Sequence, residues 1–234
     1  MDDKVAVVTG ANRGIGLAIS TLFARAGARC VMVARHASGA EDAAKLLRSE
    51  GLEAEVDAAD VTSCESVRRL ADSVKRRHGW VDVLVNNAGV FLDEDRRMSP
   101  DAVDLGVVQR TLDVNLYGAM RMATAFAPFI RAGGRIINVS STMGQLSDGS
   151  DGYGPAYSIS KAALNAYTQS LAAVLQKREV MVDCFHPGWA KTDMGGPRAT
   201  VDPMESAATA LFLATRPASD RTGLFWRGRD PIAW

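Results

Sequence analysis

The chain has 234 residues, 47% of them hydrophobic and 23% charged, a composition typical of an ordinary globular protein that can bury a sizeable core. Lysine plus arginine and aspartate plus glutamate number 27 each, so the formal net charge is zero. This balance argues against a general role on nucleic acid or on acidic membranes, because both require a basic excess.

Cysteine use and the start of the chain predict a cytoplasmic location. Cys30, Cys64 and Cys184 lie far apart, so free thiols in a reducing cytosol are expected rather than a disulfide. The first residues enter an apolar strand at once, without the basic and apolar regions of a signal peptide. No apolar run reaches about 18 residues, so no transmembrane helix is expected. Histidine, cysteine and carboxylate residues show no ligand spacing, and no metal is predicted.

Short β-branched runs alternate with longer segments of helical periodicity along the whole chain. Strands are predicted at 4–9, 29–34, 54–58, 81–86, 135–140 and 180–186. Helices are predicted at 14–27, 38–50, 63–78, 101–131 and 155–176, followed by a helix near 203–214 and a short strand around 222–226. Gly27 and Gly51 mark helix ends, whereas Ser63 and Ser99-Pro100 mark helix starts.

This alternation predicts an α/β fold. Consecutive βα units favour a parallel sheet with right-handed crossovers. We therefore expect a single doubly wound Rossmann-type domain over residues 1–234, with about seven parallel strands and helices on both faces. No linker, repeat or low-complexity tract divides the chain.

The segment TGANRGIG, residues 9–16, joins the first predicted strand to the first predicted helix. Gly10 permits a tight turn, while Gly14 and Gly16 allow the backbone and the helix to approach a pyrophosphate closely. The helix N-terminus adds free N–H groups and the positive end of a dipole. Methyltransferases and plain turns share such glycine patterns, but the strand–loop–helix setting favours nucleotide binding.

Five further motifs follow the G-x-x-x-G-x-G loop in order: NNAG at 86–89, DVN at 113–115, NVSS at 138–141, YSISK at 157–161 and HPGWAKTDMGGP at 186–197. Together they resemble the short-chain dehydrogenase/reductase family over nearly the whole chain, and they look most like its carbonyl reductase branch. Each motif alone is modest, but six in this order are highly specific. The resemblance implies an oxidoreductase that reduces a ketone, aldehyde or quinone carbonyl, or oxidises the corresponding alcohol.

The end of the second strand indicates which nicotinamide cofactor binds. Enzymes that use NAD place an acidic residue there for the ribose 2′-hydroxyl, but no acid occurs at 34–36, and the nearest is Glu41. Arg35 takes that place, and Arg13 lies inside the glycine loop. Either arginine alone could be an ordinary surface charge, but two guanidinium groups can bind a 2′-phosphate. Their joint position predicts NADP(H).

The resemblance implies the remaining cofactor contacts. Asp60 and Val61 resemble the pair that lies along the adenine, although Asp60 could instead cap a helix. Asn86 is expected to bond the backbone of an adjacent strand. The other residues expected at the cofactor are Asn12, Ile15, Asn87, Ala88, Gly89, Pro187, Gly188 and Thr192, together with Tyr157 and Lys161.

The resemblance also implies a catalytic set: Tyr157 as acid/base, Lys161 as its electrostatic partner, Ser141 as the hydroxyl that binds the carbonyl, and Asn115 as the anchor of a proton-relay water. The chemistry agrees, because a ketone that accepts hydride develops negative charge on oxygen and needs a hydrogen-bond donor. Free tyrosine has a pKa of about 10. We expect the ammonium of Lys161, one helical turn away, to lower the pKa of Tyr157.

Three of these assignments have rivals. Ser140 precedes Ser141, but the side chains of adjacent strand residues point to opposite sides, so only one of the two should face the pocket. The N-x-x-S spacing of the family favours Ser141. Tyr153 lies one turn before Tyr157, but it has no lysine four residues on. Asn115 falls inside a predicted helix, where it could be a polar core residue that bonds neighbouring backbone.

The substrate loop is expected at about 189–205, short enough to leave the pocket without a large lid. Candidate walls are Phe91, Met143, Tyr153 and Trp189. His186 and Cys184 fall on one face of a predicted strand, and a buried strand end explains them better than a nucleophile pair. Nothing in the sequence identifies the carbonyl compound or its stereochemistry.

No long insertion separates the serine and tyrosine motifs, whereas some carbonyl reductases carry a helical insertion there that blocks subunit association. A homodimer or homotetramer is therefore expected, with a small carbonyl or alcohol compound as substrate and neither nucleic acid nor membrane as partner. The alternative function is a non-catalytic NADP-binding regulator or scaffold on the same fold. A methyltransferase would share the glycine loop but has no use for YSISK.

Overall fold

The computed structural model describes residues 1–217 and 221–234, and within these ranges eight strands form one sheet in the order β3-β2-β1-β4-β5-β6-β7-β8. Neighbouring strands are parallel except for β7 and β8, which are antiparallel. The strands are β1 (Val5–Thr9), β2 (Arg29–Ala34), β3 (Ala54–Ala58), β4 (Val81–Asn86), β5 (Ile130–Val139), β6 (Met181–His186), β7 (Phe225–Arg227) and β8 (Asp230–Ile232).

In the described part of the chain, seven α-helices accompany the sheet: α1 (Gly14–Arg25), α2 (Ala37–Ser49), α3 (Cys64–His78), α4 (Leu105–Leu112), α5 (Gly118–Phe126), α6 (Pro155–Leu175) and α7 (Pro203–Thr215). Successive residues of β1 face opposite sides of the sheet. Ala6 and Val8 share a core with residues of α1, α2 and α7, whereas Val5 and Val7 share a second core with residues of α3, α5 and α6. Because both faces are covered, β1 is buried along its whole length.

The strand order reverses beside β1. The chain builds from β1 through β2 to β3 in one direction, and then from β4, on the other side of β1, through β5 and β6 to β7. In sheets of this kind the connections after the two central strands diverge and leave a crevice at the carboxyl ends, where ligands bind. The predicted doubly wound Rossmann-type fold is confirmed, and its switch point lies where β1 and β4 end.

The helix predicted at 101–131 is the main correction to the predicted elements. It begins at Leu105, because the Asp104 carboxylate accepts hydrogen bonds from the N–H groups of Gly106 (2.7 Å) and Val107 (3.4 Å). The start predicted at Ser99-Pro100 is therefore wrong. In contrast, Ser63 caps α3 as predicted, since its hydroxyl accepts from an N–H group one turn later.

The same predicted helix is also interrupted. A π-helical turn at Asp113–Tyr117 separates α4 from α5, and β5 already begins at Ile130. Pro128 lies in a 3₁₀ turn at Ala127–Phe129, where its ring stops helix propagation. The strand predicted at 135–140 is therefore longer than expected at its start, and its first residue pairs with Val81.

The C-terminal strand also differs from the prediction. It was expected around 222–226, but β7 covers Phe225–Arg227 and a two-residue turn leads into β8. The turn contains Gly228 at φ +60°, a conformation that favours glycine. The sheet therefore has seven parallel strands, as predicted, and one antiparallel strand that the sequence did not indicate.

The cysteines are free thiols: Cys30 and Cys184 are buried, and Cys64 is exposed. Across residues 1–217 and 221–234, no three His, Cys, Asp or Glu side chains lie together in an arrangement that could hold a metal ion. None of the helices described above combines the length and the apolar character needed to cross a bilayer.

Candidate active site

A cleft of about 1560 Å³ opens at the carboxyl ends of the central strands. It is lined by the glycine loop, by the ends of β2, β4 and β5, by the first turns of α6 and by the segment that follows β6. The structure brings almost every residue predicted for the cofactor or for catalysis to this cleft, and the two exceptions are Gly16 and Asn115.

The glycine loop is held in place from β4. Gly10 and Gly14 adopt φ angles of +64° and +55°, which residues with a side chain rarely adopt. The amide of Asn87 donates to the carbonyls of Thr9 (2.9 Å) and Gly10 (3.2 Å). The Thr9 hydroxyl in turn accepts from the N–H groups of Asn87 and Ala88, both at 3.0 Å. The Asn87 side chain therefore holds the glycine loop, and the contact of Asn87 with the cofactor stays a prediction.

Gly16 has a packing role under this loop. A Cβ atom at residue 16 would lie 2.3 Å from the Gly10 carbonyl oxygen and 2.5 Å from the Asn87 amide nitrogen. Only glycine allows α1 to begin so close to the loop. Gly16 itself does not line the cleft: it brings the helix to the loop, and the loop lines the cleft. A direct contact between Gly16 and the cofactor stays a prediction.

The N-terminus of α1 fits an anion. No side chain caps this helix at Arg13, so its first N–H groups keep their hydrogen-bonding capacity. Gly14 and Ile15 line the cleft there, together with Asn12. Within the described residues these features form a cradle for a pyrophosphate, and they fit the group that the glycine spacing predicted.

The two arginines expected at a 2′-phosphate both line the cleft and are exposed. Arg35 follows β2, and no acidic residue stands beside it at 34–36. Arg13 forms an exposed ion pair with Asp193 of the segment after β6. The electrostatics of this rim therefore favour an additional phosphate over a bare 2′-hydroxyl.

Asp60 forms a local turn and does not cap a helix. Its carboxylate accepts from the hydroxyl (2.7 Å) and the N–H group (2.9 Å) of Thr62, and these bonds lower the pKa of Asp60. Ser63, not Asp60, caps α3. Asp60 and Val61 both line the cleft, and their position along the adenine stays a prediction.

Asn86 is buried and bonds a side chain rather than strand backbone, which corrects the prediction. Its side-chain amide donates to the side-chain Oδ1 of Asn138 (2.8 Å), and the Asn138 side-chain amide donates to the Thr168 hydroxyl (2.9 Å). This chain of buried groups ties β4 and β5 to α6. The NVSS motif therefore contributes a structural asparagine as well as a serine at the cleft.

Asn115 is turned away from the cleft. It is buried in the π-helical turn, where its oxygen accepts from the Val90 N–H (2.7 Å) and its amide donates to the Val90 carbonyl (2.9 Å) and the Ser160 hydroxyl (3.0 Å). These are the contacts of a polar core residue, which was the alternative interpretation of Asn115. Asn115 joins the segment after β4 to α6, and its role as a water anchor stays a prediction.

Ser141 and Tyr157 meet at one wall of the cleft. The Ser141 side chain faces the phenol of Tyr157 and opposes the rise in the pKa of that phenol, and its hydroxyl accepts from the Met143 N–H at 3.1 Å. Ser140 points the other way and donates to the Asn165 amide oxygen at 2.5 Å. Of the two serines, Ser141 is thus the one that reaches the tyrosine.

The expected effect of Lys161 on Tyr157 is not found. Burial raises the pKa of Tyr157 to about 12, and the hydrogen bond from Ser141 and the charge of Arg96 oppose this increase without overcoming it. The Lys161 ammonium donates to the Val139 carbonyl at 2.8 Å and lies 5.5 Å from the centre of the tyrosine ring. Burial also lowers the pKa of Lys161 to about 8. The prediction of a lowered tyrosine pKa is therefore wrong for this arrangement.

Asp95 positions Tyr157, a role that sequence reasoning missed. Its fully buried carboxylate accepts from the N–H groups of Ala156 (2.9 Å) and Tyr157 (2.8 Å), in the first turn of α6. The residue at the start of α6, Gly154, has no side chain with which to cap the helix. Asp95 supplies the cap from a distant segment. The sequence offers Asp93, Glu94 and Asp95 together, with nothing to single out the third.

Phe91 and Arg96 complete this wall. The Phe91 ring stacks on Tyr157 with 4.6 Å between ring centres and 21° between planes. The Arg96 guanidinium lies over Phe91, 4.1 Å from its centre, and donates to the Met194 carbonyl at 2.7 Å. Phe91 was predicted as a pocket wall, but no sequence pattern indicated Arg96.

The segment after β6 folds back on itself and reaches across the cleft. Ala190 pairs with Val201, and the Trp189 indole donates to the Gly195 carbonyl at 2.8 Å. A Cβ atom at Gly14 would lie 3.0 Å from the Thr192 methyl group, so this segment touches the glycine loop. The pocket expected to be open is therefore bridged here, and Pro187, Gly188 and Thr192 line it.

His186 and Cys184 do not form a pair. The His186 Nδ1 accepts from the Thr142 N–H at 3.2 Å, and burial lowers the pKa of His186 to about 4, which keeps the ring neutral. The Cys184 thiol is buried, which raises its pKa, and it contacts the Asn165 amide oxygen at 3.5 Å. Neither group has the arrangement of an activated nucleophile.

Comparisons with known proteins agree with this site. The family model of the short chain dehydrogenases matches residues 4–202. The NADPH carbonyl reductase 1 of Oryctolagus cuniculus is 31% identical over 92% of this chain and 92% of its own length. A short chain dehydrogenase from Burkholderia cenocepacia J2315, solved in complex with NADP, is 30% identical with a TM-score of 0.85 over 97% of each chain. NADPH-bound carbonyl reductase from chicken fatty liver is 28% identical with a TM-score of 0.88 over 100% of each chain.

Proposed function

The chain belongs to the short chain dehydrogenase family, and we propose that it catalyses the NADPH-dependent reduction of a ketone, aldehyde or quinone carbonyl, reversible as oxidation of a secondary alcohol. The observation that carries this proposal is the placement of Ser141 and Tyr157 together on the wall of a cleft whose other end is a phosphate cradle. The carbonyl reductases among its relatives support the same reaction class.

NADP(H) is the cofactor, and the chain has residues to hold it. The first N–H groups of α1 would bind the pyrophosphate, Arg13 and Arg35 the 2′-phosphate, and Asp60 with Val61 the adenine end. Thr192 and the backbone of residues 187–188 would hold the nicotinamide carboxamide. When bound, the reduced nicotinamide supplies the hydride.

The chain's own residues supply the proton. We propose that Ser141 donates a hydrogen bond to the substrate carbonyl, which stabilises the negative charge that develops on its oxygen. Tyr157 then transfers its phenolic proton to that oxygen. A tyrosine pKa of about 12 keeps the phenol protonated at neutral pH, which is the state that reduction requires. Lys161, with a pKa of about 8, is mostly charged at pH 7 and stabilises the phenolate that remains.

The remaining expectations extend this proposal. Residues 1–234 act as one NADP-binding unit with a substrate loop at about 189–205, and the enzyme is a cytoplasmic homodimer or homotetramer. Size-exclusion chromatography with light scattering tests the assembly, because a species of 25.0 kDa alone would contradict it. Phe91, Met143, Tyr153 and Trp189 all line the cleft and form the proposed substrate walls.

The experiment that tests this function follows NADPH consumption over a broad panel of carbonyl compounds, with NADH in parallel. Tyr157→Phe should remove turnover by roughly a factor of a thousand or more while NADPH still binds. Tyr167→Phe, on the same helix but outside the cleft, is the matched control. Binding of NADPH without reduction of any compound would instead favour a non-catalytic regulator.

A further inference from the structure

Arg96 connects three elements around the proposed proton donor. Its guanidinium carbon lies 4.1 Å from the centre of the Phe91 ring, and that ring stacks on Tyr157. One Nη atom donates to the Met194 carbonyl in the substrate loop (2.7 Å), and the other lies 3.4 Å from the Tyr153 hydroxyl. One side chain thus contacts the substrate loop, the aromatic ring on Tyr157 and the segment that leads into α6.

The charge of Arg96 is permanent and only partly screened by water. A guanidinium stays protonated throughout the physiological pH range. The side chain is 29% exposed, so most of it lies away from bulk solvent. Its acidic neighbour Asp93, 3.6 Å from Nε, is 82% exposed, so water weakens that pairing. The positive charge can therefore interact with the ring of Phe91 and, beyond it, with Tyr157.

Three other ionisable or polar groups lie against Tyr157: Lys161 of α6, Ser141 after β5 and Asp95 before α4. Tyr153 contacts Phe91, and Tyr153 and His186 line the same cleft as Tyr157. Asp95 is bonded to N–H groups at the positive end of the α6 dipole, which offsets its charge. Lys161 donates to a backbone carbonyl and lies beside the ring. Burial raises the pKa of Tyr157, and Ser141 and Arg96 oppose that rise.

We propose that Arg96 is a positioning residue for proton transfer: acting through Phe91, it orients the ring of Tyr157 and stabilises the negative charge on the phenol oxygen after the proton has left. This inference rests on the proposed function. In that reaction the phenolic O–H bond breaks, a new O–H bond forms on the substrate oxygen, and the hydride reduces the carbonyl carbon as NADPH is oxidised. The product state contains a phenolate, and Arg96 is the second cation near it after Lys161.

The matched pair of Arg96→Gln and Arg97→Gln tests this proposal, because both variants remove one positive charge from the same 3₁₀ turn. Arg97 is exposed and does not line the cleft. The pH dependence of kcat for alcohol oxidation, which requires phenolate, is measured for both with saturating NADP⁺, because the positive charge of the oxidised cofactor would lower the pKa of the tyrosine into the measurable range. In Arg96→Gln the midpoint should move up by about half a pH unit, so the rate below the midpoint should fall about 3-fold. Arg97→Gln should keep the wild-type midpoint.

A second measurement does not depend on turnover. The chain has four tyrosines, so ¹³Cζ-tyrosine NMR of the NADP⁺ complex gives few signals, and Tyr157→Phe identifies the relevant one. Arg96→Gln should move its titration to higher pH. Arg96→Lys should cause a smaller shift in the same direction, because it keeps the charge but not the planar contact with Phe91.

An unmoved titration midpoint in Arg96→Gln would overturn the proposal, even if KM rises through loss of the Met194 contact. Thermal unfolding identifies any variant that fails to fold. If Arg96→Gln does not fold, Arg96→Lys decides the question, and an unmoved midpoint there overturns the proposal equally. Failure of the carbonyl panel would contradict the proposed function, whereas the NMR titration would still report on Arg96.

Discussion

The glycine loop and the Tyr157 wall belong to one cleft, but they are constructed differently. The loop occupies consecutive residues, and its shape depends on backbone conformations that Gly10 and Gly14 alone allow. The wall is assembled by side chains from distant segments, of which Asp95, 62 positions before Tyr157, is the clearest case. Adding a side-chain atom to a glycine should therefore distort the loop, whereas removing one of the interacting side chains should disrupt the wall. Substitutions should affect cofactor binding in the first region and proton transfer in the second.

Gly16→Ala should produce the largest effect, because the new Cβ would lie 2.3 Å from the Gly10 carbonyl oxygen. Backbone atoms must move to relieve this overlap, so we expect a loss of about 3 kcal/mol in the free energy of unfolding and greatly weakened NADPH binding. Urea denaturation and fluorescence titration with NADPH measure the two effects. Gly39→Ala is the control, since its Cβ would meet Asn12 at an ordinary 3.6 Å. Equal stability of the two variants would contradict the packing role of Gly16.

Asp95→Ala should break the wall without affecting the loop. It leaves the N–H groups of Ala156 and Tyr157 without their acceptor, which should cost about 2 kcal/mol of stability. We expect kcat to fall while the Kd for NADPH stays near the wild-type value. Glu94→Ala removes an exposed carboxylate from the same segment, one that pairs with Arg110 rather than Arg96, and should change neither quantity. A parallel loss of NADPH affinity in Asp95→Ala would show that the two regions are not separable.

Acidification should weaken the wall through His186. Its pKa is about 4 in the folded chain and about 6.5 when unfolded, so the unfolded state binds more protons between these values. Stability is therefore fully present above pH 6.5 and is lost as the pH falls towards 4, by about 3 kcal/mol for this group. His186→Asn keeps an acceptor for the Thr142 N–H and should remove that part of the pH dependence. Urea denaturation at several pH values measures the difference, and identical profiles would refute it.

Arg35→Ala should have the smallest of these effects and should act at the cofactor end alone. Loss of one guanidinium at the proposed 2′-phosphate site should weaken NADPH binding about 10-fold, which corresponds to about 1.4 kcal/mol, and should leave NADH binding unchanged. Arg68→Ala, on the exposed face of α3, is the charge-matched control. An equal loss for NADPH and NADH would argue against discrimination by Arg35.

Much of the fold was predictable because its signals are local. The strands β2, β3 and β4 have the predicted bounds. Nearly continuous apolar runs mark β2 and β4 as buried parallel strands, whereas β3 alternates apolar and acidic residues. The interrupted helix at 101–131 was not predictable in this way. The helix begins after Asp104 and not at Ser99-Pro100. Asn115 lies in a π-helical turn, and the residues that its side chain bonds, Val90 and Ser160, are remote in sequence.

By itself, the sequence predicted the seven parallel strands, the glycine loop and the motifs that bring Ser141, Tyr157 and Lys161 to one cleft, because apolar periodicity, glycine positions and short motifs act over a few neighbouring residues. The tertiary structure alone decided that Asp95 caps α6, that Arg96 and Phe91 stand against Tyr157, and that burial raises rather than lowers the pKa of the tyrosine. Capping by a distant residue, ring stacking and desolvation all depend on which groups lie close together in space, and these groups come together only when the chain folds.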